Sequence, residues 1–111
     1  MSSDGVPGDT WVDACGADDI GREDVRPFDY GRLNIAIYRT SGDQYFATDG
    51  TCTHEAADLT EGFVMGDIIE CPRHNGRFDV KTGKALAAPA CVDLATYPVK
   101  VEAGRVWVKV G

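Results

Sequence analysis

Residues 32–48 read RLNIAIYRTSGDQYFAT, and this stretch decides the fold class. Leu33, Ile35 and Ile37 recur at a period of two, Ser41-Gly42-Asp43 supplies a turn, and residues 44–48 resume with Tyr45 and Phe46. Strand side chains point to opposite faces in alternation, so the pattern describes a strand with one buried face, a hairpin turn and an antiparallel partner. The same grammar recurs. Residues 10–15, 68–70, 77–80, 97–101 and 105–110 are short runs rich in Val, Ile, Tyr, Phe and Trp. Asp49-Gly50, Lys81-Thr82-Gly83-Lys84 and Ala103-Gly104 stand between them as turns. No segment sustains a 3.6-residue apolar period, so helix is confined to a turn or two, at residues 17–24 or 55–59. The expected architecture is all-β, a small antiparallel sandwich or barrel. Trp11, Trp107 and Tyr97 fall within strand patterns and are read as core residues.

With 111 residues and 43% apolar content, the chain has room for one domain over 1–111 with its own core, residues 1–8 forming a loosely held tail. A second, catalytic domain does not fit. The 18 acidic and 11 basic side chains give a net charge of -7, which repels nucleic-acid phosphates and anionic membrane surfaces. The opening MSSDGVPGDT has no basic stretch followed by an apolar run, and no apolar segment reaches the roughly 18–20 residues of a membrane span. A cytoplasmic protein with no membrane partner is expected. In that reducing compartment Cys15, Cys52, Cys71 and Cys91 are thiols or metal ligands rather than disulfides.

The stretch from Gly50 to Gly76 is poor in strand signal and carries the chemistry. It holds Cys52-Thr53-His54 and Cys71-Pro72-Arg73-His74, which together read C-x-H, sixteen residues, C-x-x-H. The two histidines are the only ones in the chain, and each lies within three residues of a cysteine. A lone cysteine or histidine is ordinarily a packed or surface residue. Four at this spacing, on two loops, make a metal centre of soft thiolates and imidazoles. Two sulfurs and two nitrogens also suit tetrahedral zinc, but zinc sites usually place like ligands together in one half. Here each half supplies one cysteine and one histidine, as expected when two thiolates hold one iron and two imidazoles the other.

These blocks resemble the Rieske 2Fe-2S motif. The resemblance extends through Asp49, residues 59–62, Ile69-Glu70, Arg77-Phe78-Asp79, Thr82-Gly83-Lys84-Ala85 and Pro89 to the small ferredoxins of bacterial ring-hydroxylating oxygenase systems. It implies a cluster-binding subdomain of two hairpin loops at about 50–76, a proline loop over the cluster at about 88–90, and one 2Fe-2S cluster. Cys52 and Cys71 are then the ligands of the inner iron, and His54 and His74 those of the outer iron near solvent. High-potential relatives carry a disulfide between these loops, where this chain has Ala57 and Arg73. They also carry a serine and a tyrosine hydroxyl donating to cluster sulfurs, where this chain has Gly76 and Phe78. Fewer donors leave the reduced state less stabilised, so the resemblance implies a potential near the low end of the Rieske range, about -150 mV.

The expected function is one-electron transfer in aromatic hydrocarbon catabolism, from a NAD(P)H-dependent flavoprotein reductase to a Rieske-type terminal oxygenase, by a monomer that is not itself an enzyme. An oxygenase site would need two further histidines and a carboxylate, and no histidine remains once the cluster is built. The alternatives are a small subunit of another redox enzyme, such as nitrite reductase, and a structural zinc module. Cys15 and Cys91 are read as small buried residues without a redox role. His54→Ala is expected to lose or destabilise the visible chromophore, and Cys15→Ser to leave the spectrum intact. An unchanged spectrum in the histidine variant would overturn the ligand assignment.

Overall fold

The computed structural model describes residues 10–53, 57–73, 76–87 and 92–110. In chain order the described strands are β1 (Trp11–Gly16), β2 (Asp24–Tyr30), β3 (Leu33–Arg39), β4 (Tyr45–Asp49), β5 (Phe63–Met65), β6 (Ile68–Glu70), β7 (Arg77–Asp79), β8 (Ala85–Ala87), β9 (Thr96–Tyr97), β10 (Val99–Glu102) and β11 (Arg105–Lys109). Helix is limited, among the described residues, to two 3-10 turns at Ala17–Asp19 and Leu59–Glu61. The strands form three antiparallel sheets, ordered β1-β11-β10, β2-β3-β4-β9 and β5-β6-β7-β8. The all-β expectation therefore holds. Residues 1–8 and the loop at 88–90 lie outside the described residues.

The β3–β4 hairpin forms as the alternation predicts, with Ile35 opposite Asp49 and Arg39 opposite Tyr45. Its burial goes further than the pattern. All four residues from Ile35 to Tyr38 are buried, because β3 has a core on each side. Ile35 and Ile37 pack with Cys15, Ile20, Ala47, Val106 and Val108. Ala36 and Tyr38 pack on the opposite face with Cys52, Leu59, Ile69, Cys71, Phe78, Val80 and Leu94. Tyr38 tolerates this because its hydroxyl lies 2.7 Å from Thr48 Oγ1, which itself donates to the Asp49 carbonyl at 2.8 Å. A threonine hydroxyl has one proton, so Tyr38 is the donor of the pair. Burial pushes the Tyr38 phenol well above its ordinary range and keeps it protonated.

Several strands escape the sequence pattern for identifiable reasons. β2 contains Pro27, Asp24, Arg26 and Asp29, yet as an edge strand it pairs only with β3 and tolerates a proline. β5 and β8 have three residues each, too few for alternation to register. The expected strand over 97–101 is two strands, since β9 belongs to the second sheet and β10 to the first, with Pro98 between them. Val101 is accordingly 44% exposed. Trp11 and Trp107 are only half-buried and belong to neither core. Trp107 lies between the buried Val106 and Val108 and so occupies the opposite face of the sheet, with its indole nitrogen buried there, and the Lys100 ammonium sits 4.5 Å from the Trp11 ring centroid. Tyr97 does pack against the core built on Ile35 and Ile37.

No helix among the described residues is long and apolar enough to cross a membrane. Ile37→Ala, which opens a cavity against β3, is expected to cost about 2–5 kcal/mol. Phe63→Ala, at a side chain 65% exposed, is expected to change stability by less than about 0.5 kcal/mol. Chemical denaturation of both variants checks this contrast.

Candidate metal centre

The two cysteine-bearing loops are built alike. In the first, Thr51 pairs with Asp58 across an isolated bridge, and the Cys52 N–H donates to the Ala57 carbonyl at 2.9 Å. In the second, Glu70 pairs with Arg77, and the Cys71 N–H donates to the Gly76 carbonyl at 2.7 Å. Each cysteine thus makes the last described backbone bond at the closed end of its hairpin. The C-x-H and C-x-x-H spacings put His54 two and His74 three residues beyond these cysteines. His54 and His74 lie outside the described residues.

Both cysteines point inward. Cys52 is 5% and Cys71 1% exposed, and both belong to the core that includes Leu59, Ile69, Phe78 and Leu94. Neither they nor Cys15 are in a disulfide. Two buried thiols at equivalent hairpin positions fit soft metal ligation, because an apolar shell excludes competing water while a cation offsets the cost of burying thiolate. Cys15 packs in the other core, where burial raises its pKa, and has no place at this site. Cys91 lies outside the described residues.

Among the described residues, few hydroxyl groups share the core of these cysteines. Gly76 and Phe78 are both buried, neither carries a hydroxyl, and Phe78 is fully enclosed in the same core. That core does contain the hydroxyl of Tyr38, but it is committed to Thr48. On the outer side, Thr53, Pro72 and Arg73 are exposed.

The stems are pinned by neighbouring segments. The Gly50 N–H donates to the Asn34 carbonyl and the Leu59 N–H to the Gly50 carbonyl, both at 2.8 Å. Asp58 caps the 3-10 turn at Leu59–Glu61 by accepting the Thr60 N–H at 2.9 Å. The turn ends at Gly62, where an added Cβ would run into the Glu70 carbonyl, one residue before Cys71. Glycine therefore lets the exit of the first loop lie against the entry to the second. One group of contacts had no signal in the residue pattern, those made by residues 92–97. Asp93 and Tyr97 there look like ordinary surface and strand residues, but they bond to Ala85 and Asp49.

A family model for the Rieske 2Fe-2S domain matches residues 10–98. The ferredoxin component of the naphthalene 1,2-dioxygenase/salicylate 5-hydroxylase systems of Ralstonia sp is 50% identical over 89% of this chain and 94% of its own length. The ferredoxin component of the 2,4-dinitrotoluene dioxygenase system of Burkholderia sp. (strain RASC) is 48% identical over 91% of this chain and 96% of its own. Among solved structures, a chain in the complex of reduced oxygenase and oxidized ferredoxin of carbazole 1,9a-dioxygenase superimposes with a TM-score of 0.85 at 41% identity, covering 91% of this chain and 94% of that one.

Gly62→Ala is expected to force the two loops apart at Glu70. It should lower stability by about 1–3 kcal/mol and reduce the iron retained per chain on purification. Denaturation and metal analysis of the same preparation check it.

Proposed function

Since the chain belongs to the Rieske 2Fe-2S family, we propose that Cys52 and Cys71 hold one iron of its cluster, and His54 and His74 the other. The observation that carries this ligand set is the placement of Cys52 and Cys71 at equivalent positions of two matched hairpins in one apolar core. The only two histidines of the chain follow those same cysteines by two and three residues.

The protein is a one-electron carrier of a ring-hydroxylating dioxygenase system, carries one Rieske-type cluster, and is not itself the catalyst. When bound, the cluster supplies a one-electron iron couple. Leu59, Ile69, Phe78 and Leu94 exclude water from its inner side. Among the described residues, Thr53, Pro72 and Arg73 are exposed beside these cysteines, where a partner could approach. Electrons enter from a NAD(P)H-dependent flavoprotein reductase and leave to a terminal oxygenase acting on an aromatic substrate. The carrier works as a cytoplasmic monomer, docking weakly enough to leave each partner.

Iron and sulfide analysis with EPR of the dithionite-reduced protein tests the cluster and its ligation. Two irons and two sulfides per chain with a mixed nitrogen and sulfur signature support the ligand set. Zinc with a silent spectrum would overturn it. The midpoint potential is expected near about -150 mV, since no hydroxyl stands at Gly76 or Phe78. Phe78→Tyr, which introduces a donor beside the cluster, is expected to raise it. A wild-type potential above zero would sink that account.

A further inference from the structure

The two cysteine-bearing hairpins belong to different parts of the fold. The first is entered from β4 of the second sheet and leaves through the Leu59–Glu61 turn into β5 of the third, the second joins β6 to β7, and no strand of the second sheet pairs with a strand of the third among the described residues. The far end of the third sheet is held by Glu23, whose carboxylate accepts the Gly66 N–H at 2.7 Å, and by the Ser41 N–H, which donates to the Gly66 carbonyl at 3.3 Å. The cysteine end is held by residues 92–97.

This segment divides its bonds between the first cysteine-bearing hairpin and the β7–β8 hairpin, whose β7 is also the returning arm of the second. Toward the first, the Val92 carbonyl accepts the Thr53 hydroxyl, the Ala95 carbonyl accepts the Asp49 N–H at 2.9 Å, and the Tyr97 hydroxyl donates to Asp49 Oδ1 at 2.6 Å. Toward the second, Asp93 Oδ1 accepts the Ala85 N–H at 2.9 Å, and the Leu94 N–H donates to the Gly83 carbonyl at 2.7 Å. Gly83 has φ +77°, and a Cβ there would meet the Leu94 carbonyl. The Leu94 side chain enters the core that contains Cys52 and Cys71.

We propose that Asp93 and Tyr97 are positioning residues for the cluster, tying the stem of the first hairpin to the β7–β8 hairpin, and through β7 to the second, and so helping to hold the Cys52 and Cys71 sulfurs at the separation that one iron requires. The inference rests on the ligand set proposed above. Two thiolates on one iron tolerate little change in spacing, and the one ladder the described residues place between the loops, β5 on β6, joins the first loop only at its exit. The bond from Tyr97 is short and made to a carboxylate, the stronger kind. Burial first, and then the Asp49 bond and charge, push the Tyr97 phenol up to about 12, so it stays a donor across the working range of pH. Asp93 gives an acceptor to a backbone N–H beside the start of β8.

The test measures bleaching of the visible absorption of the holoprotein in excess iron chelator, with the EPR line widths of the reduced form recorded alongside. Tyr97→Phe removes one hydroxyl and Asp93→Ala one acceptor, whereas Asp93→Asn keeps an acceptor oxygen. Each of the first two is expected to bleach about fivefold faster than wild type, the factor that one lost hydrogen bond puts on local opening, with broadened lines. Asp93→Asn is expected to stay within about twofold. The double variant is expected to fall short of the product of the single effects, because both act through one segment. Ile37→Val, which loosens the other core, is the control and should lower stability without speeding bleaching. Unchanged rates in Tyr97→Phe and Asp93→Ala, or equal acceleration in Ile37→Val, would overturn the inference while leaving the ligand set standing. Wild-type protein without iron and sulfide would remove the ligand set, and the inference with it.

Discussion

Burial of β3 on both faces is the constraint from which the rest of the structure follows. Ile35 and Ile37 seal one core, Ala36 and Tyr38 seal the other, and no side of that stretch is left for water. A strand so placed must satisfy its backbone entirely through β2 and β4, which it does by pairing with both. The two cores thus share one strand as their common wall, with Ile35 and Ile37 on one face and Ala36 and Tyr38 on the other.

The division of labour between the cores follows from what each contains. The one bounded by β1, β10 and β11 is an aliphatic filling around Val106 and Val108, and it serves to hold β3. The other has the two cysteines at its edge and the aromatic ring of Phe78 beside them. Its single phenol, on Tyr38, is turned toward Thr48 and the backbone of Asp49, at the root of the first loop. The side chain that separates the cores thus also braces the strand end from which a ligand loop departs.

Much of this was legible in the chain, and the exceptions have physical causes. Ile35, Ile37 and the turn at Ser41-Gly42-Asp43 announced the β3–β4 hairpin because period and turn chemistry agreed. Tyr38 read as the outward partner of that alternation, since a binary pattern scores its hydroxyl as polar and cannot see Thr48 waiting for it. Trp11 and Trp107 read as core for the converse reason, because size and apolarity do not reveal which face of a three-stranded sheet is covered. Residues 97–101 read as one strand, because the alternation of Tyr97, Val99 and Val101 runs unbroken through Pro98 and does not show the change of sheet there. At the metal centre, the spacing of Cys52, His54, Cys71 and His74 carried the chemistry, since few other arrangements use such residues in that order. Residues 92–97 carried no signal, because most of their bonds are made by backbone groups that every residue possesses.

The pairing of β1 with β11, which sets Trp11 opposite Lys109, bears on the order of events during synthesis. Contacts between segments this far apart in the chain form late, because loop closure must be met before they repay it. Both cysteine-bearing hairpins leave the ribosome before residues 92–97 and before β11, so the nascent chain passes through an interval in which its thiols are made but not yet enclosed. For these thiols the interval ends when Leu94 enters their core, whereas β11 completes the other core, around Val106 and Val108, so the metal-site core can be finished before the last sheet closes.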